Sequence, residues 1–83
     1  MHILKFKADW CIPCKQLTKA IEEANVDIHI STIDIELNIQ AATEYGIRSV
    51  PTMIVLGDHN EEITRKTGSM TSQQFKDWVE SLK

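Results

Sequence analysis

Two cysteines three positions apart are the residues of this chain best suited to chemistry. Cys11 and Cys14 are the only cysteines among 83 residues. A strand-like alternation precedes Cys11 and a helical period follows it, so Cys11 falls at the start of a helix. Unpaired N–H groups and the positive end of the helix dipole stabilise a thiolate there. Cys14, one turn later, is placed to attack a mixed disulfide on Cys11, so the spacing predicts thiol–disulfide exchange.

A zinc site or a structural bridge would also use two cysteines. Structural zinc takes four ligands, and the histidines fall on different elements without a partner at ligand spacing; they are His2, His29 and His59. A bridge across so short a loop stabilises by roughly 2 kcal/mol, less than a bridge across a longer loop. We therefore expect a redox-active pair with no metal and no bound cofactor.

Composition excludes several classes of protein. The net charge is -3 and no basic run is present, so we expect no nucleic-acid partner. The longest apolar run, Met53 to Leu56, is far too short to cross a membrane. No signal peptide precedes the first alternation, which predicts a cytoplasmic protein. The length predicts a single domain over residues 1–83, and we expect a monomer.

The periodicity of apolar residues predicts seven elements. Asn38 is a plausible N-cap, and Thr71 with Gln74 forms a capping-box pattern. The predicted elements are a strand at 2–7, a helix from Cys11 through Asn25 with Pro13 in its first turn, a strand at 26–35, a helix at 39–45 ended by Gly46, strands at 52–56 and 61–67, and a final helix after Thr71 with the apolar stripe Phe75, Trp78, Val79 and Leu82.

The order of the elements predicts an α/β fold. Two strands joined through a helix should be parallel, and the second pair is a hairpin and must be antiparallel. We therefore expect a four-stranded mixed sheet flanked by three helices, in the order β-α-β-α-β-β-α.

Three segments resemble the active-site loops of thioredoxins. Residues 8–15 resemble the segment with the two cysteines, and residues 45–52 resemble the segment around the family's cis-proline. Thr67 and Gly68 resemble the third loop that borders the site. The resemblance runs from about Ile3 to the end of the chain. It implies a thioredoxin-like fold in a minimal form.

The resemblance also implies a role for each matching residue. Cys11 would be the exposed nucleophile and Cys14 the buried resolving thiol, and the bond before Pro51 would be cis. The backbone of Val50 would pair with an extended substrate segment. The implied substrate-binding residues are Trp10, Ile12, Pro13, Val50, Pro51, Thr67 and Gly68.

Lys5 departs from the family's pattern. Thioredoxins usually carry at this position a buried Asp that assists proton transfer at the resolving thiol, and Thr32 takes the place of the Lys that often pairs with that Asp. In one hypothesis, Lys5 modulates a cysteine pKa through its positive charge. In the other, which we favour from the sequence, Lys5 reaches water or pairs with Asp34 or Glu36, on a face that it shares with Lys7.

Two further departures affect the expected function. Ile12 stands where thioredoxins usually carry Gly, so the reduction potential does not follow from the family and the rim of the site is more apolar. The family's first strand and helix have no counterpart in these residues. What remains resembles the minimal core that thioredoxins share with glutaredoxins.

The function that the resemblance implies is protein-disulfide reductase, an oxidoreductase of cell redox homeostasis. Its partners would be disulfide-containing proteins and an NADPH-linked thioredoxin reductase. One alternative is a glutathione-linked glutaredoxin-like protein, although residues 68–71 lack the second Gly and the Asp that glutaredoxins usually carry. Another is a non-catalytic accessory subunit, in which the dithiol is dispensable.

Overall fold

The computed structural model of the chain describes every residue from Met1 to Lys83. The elements follow the predicted order β-α-β-α-β-β-α. They are β1 (His2–Lys7), α1 (Ile12–Ala24), β2 (Ile30–Asp34), α2 (Ile39–Glu44), β3 (Thr52–Leu56), β4 (Glu62–Thr67) and α3 (Ser72–Ser81).

The four strands form one mixed sheet in the spatial order β2-β1-β3-β4. β1 runs parallel to β2 and antiparallel to β3, and β3 and β4 form an antiparallel hairpin. The predicted α/β fold and strand directions are therefore confirmed. Because a parallel pair needs a crossover connection, α1 leaves β1 at one end of the sheet and returns the chain to the start of β2.

The two central strands are buried on both faces: all five residues of β3 and the inner four of β1 are buried. Successive side chains point to opposite faces of a strand, so each central strand contributes to two clusters. The larger cluster lies between the sheet and helices α1 and α3, and contains Ile3, Leu17, Ala24, Met53, Val55, Phe75 and Val79. The smaller cluster contains Leu4, Phe6, Ile54 and Leu56, with Ala41 and Tyr45 from the α2 segment against it.

The ends of the first helix and of β2 follow from local geometry. Asn25 ends α1 in the left-handed conformation, with φ at 50°, and its N–H reaches back to the carbonyl of Ile21. β2 is shorter than the strand predicted at 26–35, because its pairing with β1 starts at Ile3 opposite Ile30. Residues 26–29 serve as the connection instead.

The C-terminal helix packs as the sequence predicted. Thr71 and Gln74 form the full capping box at its start. Phe75 and Val79 are fully buried, and Trp78 and Leu82 pack against the same cluster from half-buried positions. None of the three helices combines the length and the apolar character that spanning a membrane requires.

Candidate functional site

The two cysteines form a disulfide at the N-terminal end of α1. Their Cα atoms are 5.2 Å apart, a separation that suits a disulfide. The strand before them ends at Lys7 and the helix begins at Ile12. The chain thus turns from a central strand into the helix within four residues, and this turn places Cys11 beyond the C-terminal end of β1.

Cys11 is the N-cap of α1. Its Sγ lies 3.2 Å from the backbone nitrogen of Cys14, whose N–H points at the sulfur. Pro13 occupies the first turn, where its missing N–H removes no helical hydrogen bond. Cys11 Sγ therefore occupies the position that a Ser or Asp oxygen takes in an ordinary cap, and negative charge on it is favoured by the helix dipole.

Both sulfur-bearing residues are buried in the disulfide form. Cys11 is 4% exposed and Cys14 is 3% exposed, so the expectation that Cys11 is the exposed member of the pair is wrong for this state. The physical reason is long-range packing: Ile35 and Val50 cover the cysteines from elsewhere in the chain. The backbone oxygen of Val50 is 3.6 Å from Cys11 Sγ.

The loop before β3 lies directly against the disulfide. The Val50–Pro51 bond is cis, as the resemblance implied, and Pro51 is fully buried. The carbonyl of Pro51 accepts a hydrogen bond of 2.9 Å from the N–H of Gly68, while Thr52 Oγ1 donates to the carbonyl of Ser49. These bonds hold the loop on both sides and leave the N–H of Val50 without a protein partner.

The remaining residues predicted from the sequence to bind substrate border this arrangement. Trp10 and Ile12 are 65% and 66% exposed, so two large apolar side chains stand in solvent beside a buried disulfide. Pro13 and Thr67 are also exposed. Gly68 has a φ of 98°, a conformation that favours glycine, and it is tied to the cis-proline loop through Pro51.

Lys5 is the only buried charged residue of the chain, at 6% exposure. Its Nζ donates a hydrogen bond of 2.8 Å to Thr18 Oγ1, and it has no ion pair. The favoured hypothesis, in which Lys5 reaches water or pairs with Asp34 or Glu36, is therefore wrong. The cause is that α1 crosses the face of β1 on which Lys5 lies. This burial lowers the pKa of Lys5.

Lys7, two residues further along β1, takes the ion pairs instead. Its Nζ lies 2.6 Å from Asp9 Oδ1 and 3.3 Å from Asp34 Oδ2. Hydrogen bonds to Asp9 and then Asp34 raise the pKa of Lys7. The Glu36 N–H, followed by Lys7, holds the pKa of Asp34 below its usual value. The acidic group near the end of β2 is thus already neutralised by Lys7.

Thr18 is a site residue that the sequence pattern did not predict. It lies one turn after Cys14 on α1, and its hydroxyl donates to the Cys14 carbonyl over 3.1 Å while accepting from Lys5. The signal in the sequence was the spacing of four between Cys14 and Thr18. Thr32 pairs with Lys5 across the parallel strands, at the position expected from the family's charged pair.

No group of three or more His, Cys, Asp or Glu side chains lies close enough to hold a metal ion. The rings of His2 and His29 are tilted by 60° with centroids 5.8 Å apart, and His59 lies in the β3–β4 turn. None of the three joins the cysteines. The arrangement around Cys11 and Cys14 therefore offers thiol chemistry from the side chains themselves.

Comparison with known proteins agrees with this geometry. The thioredoxin family model matches residues 1–81. The chain belongs to the thioredoxin family. It is 35% identical to a thioredoxin of Rickettsia conorii over 81 residues, which cover 93% of this chain and 76% of that protein. With its CxxC disulfide, it is a thiol–disulfide oxidoreductase that reduces protein disulfides by dithiol exchange.

Solved thioredoxin structures superpose on the whole fold. A mutant thioredoxin from Halobacterium salinarum has a TM-score of 0.84 and 33% identity, over 95% of this chain and 71% of the other. Thioredoxin 1 from Thermosipho africanus has a TM-score of 0.82 and 30% identity, over 99% of this chain and 93% of the other. The second match shows that thioredoxins of nearly this length share the architecture.

Proposed function

We propose that Cys11 attacks the substrate disulfide and that Cys14 resolves the mixed disulfide. The observation that carries this assignment is the Cys14 N–H directed at Cys11 Sγ over 3.2 Å. A helix N–H and the helix dipole favour a thiolate on Cys11, and the thiolate is the nucleophile. Cys14 lies in the first turn of α1 and is bonded to Cys11 in the disulfide, so its sulfur is within reach of Cys11 Sγ for the resolving step.

The exchange moves two electrons from the dithiol to the substrate. The Cys11 thiolate attacks one substrate sulfur, the substrate disulfide breaks, and the leaving substrate thiolate takes up a proton. The Cys14 thiolate then attacks Cys11 Sγ and releases the second substrate thiol, which leaves the disulfide seen here. We propose that an NADPH-linked thioredoxin reductase returns the two electrons.

The surface around the disulfide supports binding of an extended, partly apolar segment of a protein substrate. Val50 offers an unpaired N–H beside the sulfur atoms, which supports backbone pairing with the substrate. Trp10 and Ile12 present apolar surface on the neighbouring side. We propose Pro13, Pro51, Thr67 and Gly68 as the remaining border of this surface.

The test of the cysteine roles is reduction of insulin disulfides coupled to NADPH oxidation. Cys11→Ser should abolish the first attack, whereas Cys14→Ser should accumulate a covalent adduct with the substrate, detected by mass spectrometry. An adduct on Cys14 in the Cys11→Ser protein, with none in the Cys14→Ser protein, would reverse the assignment. NADPH oxidation supported by glutathione and glutathione reductase, and not by thioredoxin reductase, would favour the glutaredoxin-like alternative.

The test of the binding surface compares apolar residues at the two ends of the molecule. Trp10→Ala and Ile12→Gly should raise the KM for insulin. Ile63→Ala is a matched control, because Ile63 is an exposed apolar residue at the end of β4 far from Thr67. An equal rise in KM for all three variants would contradict a local binding surface.

We further propose that the chain acts as a single-domain monomer in the cytoplasm. The support for a monomer is that its buried apolar clusters are completed within one chain. The support for the cytoplasm is the bacterial thioredoxin relatives and the need for a reducing compartment. Light scattering after size-exclusion chromatography and cell fractionation test these two statements.

A further inference from the structure

The resolving cysteine and the buried lysine line the same cavity. This cavity has a volume of about 360 Å³ and is lined by the end of β1, the start of α1 and Thr32 of β2. Lys5, Cys14, Thr18 and Thr32 contribute to its wall. Cys11 does not line it, so a group in this cavity can act on Cys14 without contacting Cys11.

The charge of this cavity is positive. Three lysines and one carboxylate line it: Lys5, Lys7, Lys15 and Asp9. Lys7 is neutralised by Asp9 and Asp34, and neither Lys5 nor Lys15 has an ion pair. Burying a charge without a partner of opposite sign costs free energy, so the buried ammonium of Lys5 destabilises the disulfide form.

The position of the Lys5 amine is fixed by hydrogen bonds that lead to Cys14. Lys5 Nζ donates to Thr18 Oγ1 over 2.8 Å, and Thr18 Oγ1 donates to the Cys14 carbonyl over 3.1 Å. Thr18 and Cys14 are one helical turn apart, so the amine is held next to the turn that carries the resolving sulfur. The position of the Lys5 amine is therefore fixed by a residue of α1.

We propose that the Lys5 ammonium is a positioning residue that stabilises the Cys14 thiolate during the resolving step. The proposal rests on the function proposed above, in which Cys14 resolves the mixed disulfide. The partner that Lys5 lacks in the disulfide form is then supplied by Cys14 when its thiol ionises. An opposite charge within a few ångströms favours the ionised form of a thiol.

In the resolving step, Lys5 exchanges neither electrons nor protons with the other groups. Cys14 gives its thiol proton to water, which a polar cavity of this volume accommodates. The thiolate attacks Cys11 Sγ, and the Cys11–substrate bond breaks as the Cys11–Cys14 bond forms. The substrate sulfur leaves with the electron pair and takes up a proton from solvent.

Other charged groups face Lys5 from the elements packed against it. Glu22 on α1 attracts its charge from an exposed position, and Lys7 on β1 opposes it. Lys15 and Asp9 lie at the cavity wall, and Asp34 at the end of β2 is paired to Lys7. Glu22 is not hydrogen-bonded to Lys5, so Cys14 remains the anion that can complete the buried site.

The test is a titration of thiolate ultraviolet absorbance in proteins with one thiol. In the Cys11→Ser background, Lys5→Met should raise the pKa of Cys14 by about one unit or more. In the Cys14→Ser background, the same change should leave the pKa of Cys11 nearly unshifted. Lys19→Met is the matched control, because Lys19 is an exposed lysine on α1 that does not line the cavity.

A second variant guards against a general effect of Lys5→Met on folding. Thr18→Val keeps the shape of the side chain and removes the hydroxyl that holds Lys5 Nζ, so it should raise the Cys14 pKa by a smaller amount. An unshifted Cys14 pKa in both variants, or equal shifts for Cys11 and Cys14, would overturn the proposal. The assignment of nucleophile and resolving thiol is tested separately by adduct trapping, so the two can fail independently.

Discussion

Gly68→Ala should weaken substrate binding through the cis-proline loop. The residue has a φ of 98° and its N–H donates to the Pro51 carbonyl over 2.9 Å. An added methyl group would meet no atom within 4 Å, so the cost is confined to the backbone. Holding a residue other than Gly in such a conformation costs about 1–3 kcal/mol. The chain can lower that cost by rotating φ, which turns the N–H away from Pro51.

The size of the expected effect follows from the hydrogen bond. Its loss removes a net contribution of about 0.5–1.5 kcal/mol. If all of this free energy is lost from substrate binding, the KM for insulin rises about 2- to 10-fold. The fold should survive, because domains typically have about 0.05–0.15 kcal/mol of stability per residue. The assays are insulin reduction at several substrate concentrations and the urea midpoint of unfolding.

Gly46→Ala is the matched control for this experiment. Gly46 also has a positive φ, at 64°, and an added methyl group there also meets nothing within 4 Å. It ends the α2 segment and donates to the Thr43 carbonyl, so unlike Gly68 it makes no hydrogen bond to Pro51. It should lose about 1 kcal/mol of stability and keep its KM. A destabilised Gly68→Ala protein with an unchanged KM, or the same rise in KM for both variants, would refute the reasoning.

Three further predictions concern urea unfolding of the disulfide form, in which neither cysteine titrates. Thr71→Ala removes the capping box with Gln74 and should cost about 1 kcal/mol; an unchanged midpoint would contradict it. Backbone N–H groups and Lys7 hold the pKa of Asp34 below 3.8, so their contribution is present above that pH and is lost as the pH falls through the lower folded pKa. In Asp34→Asn, the free energy of unfolding should therefore fall less steeply as the pH is lowered. A fall as steep as that of the unsubstituted protein would contradict this prediction. Burial lowers the pKa of Lys5 below 10.5, so the unfolded chain binds that proton more tightly and stability should rise with pH from the folded pKa towards 10.5. Lys5→Met should lack this rise, and a variant that retains it would show that another group causes it.

The local features of the fold were predictable because they depend on short stretches of chain. Apolar periodicity placed all seven elements, and the Thr71 capping box formed as its two residues indicated. The strand that was predicted too long is β2. Its β-branched residues are typical of a strand throughout, but the register with β1 pairs only residues 30–34.

In the candidate site, too, the features that depend on neighbouring residues were predictable and those that depend on distant residues were not. The spacing of Cys11 and Cys14 and the helix start at Ile12 specify the disulfide and the thiolate-stabilising cap, since both lie within one turn. The cis-proline was expected from resemblance to thioredoxins, and the structure has it at Pro51. Thr18 was missed because its role depends on a strand residue thirteen positions earlier.

By itself, the sequence determined the redox pair, the order of the elements and the family. The tertiary structure decided how buried each reactive group is. Cys11 is covered because Val50, 39 positions later, packs against it. Lys5 is enclosed because α1 crosses β1, which leaves a buried cation beside the resolving cysteine. Burial depends on contacts between distant parts of the chain, and the spacing of neighbouring residues does not encode it.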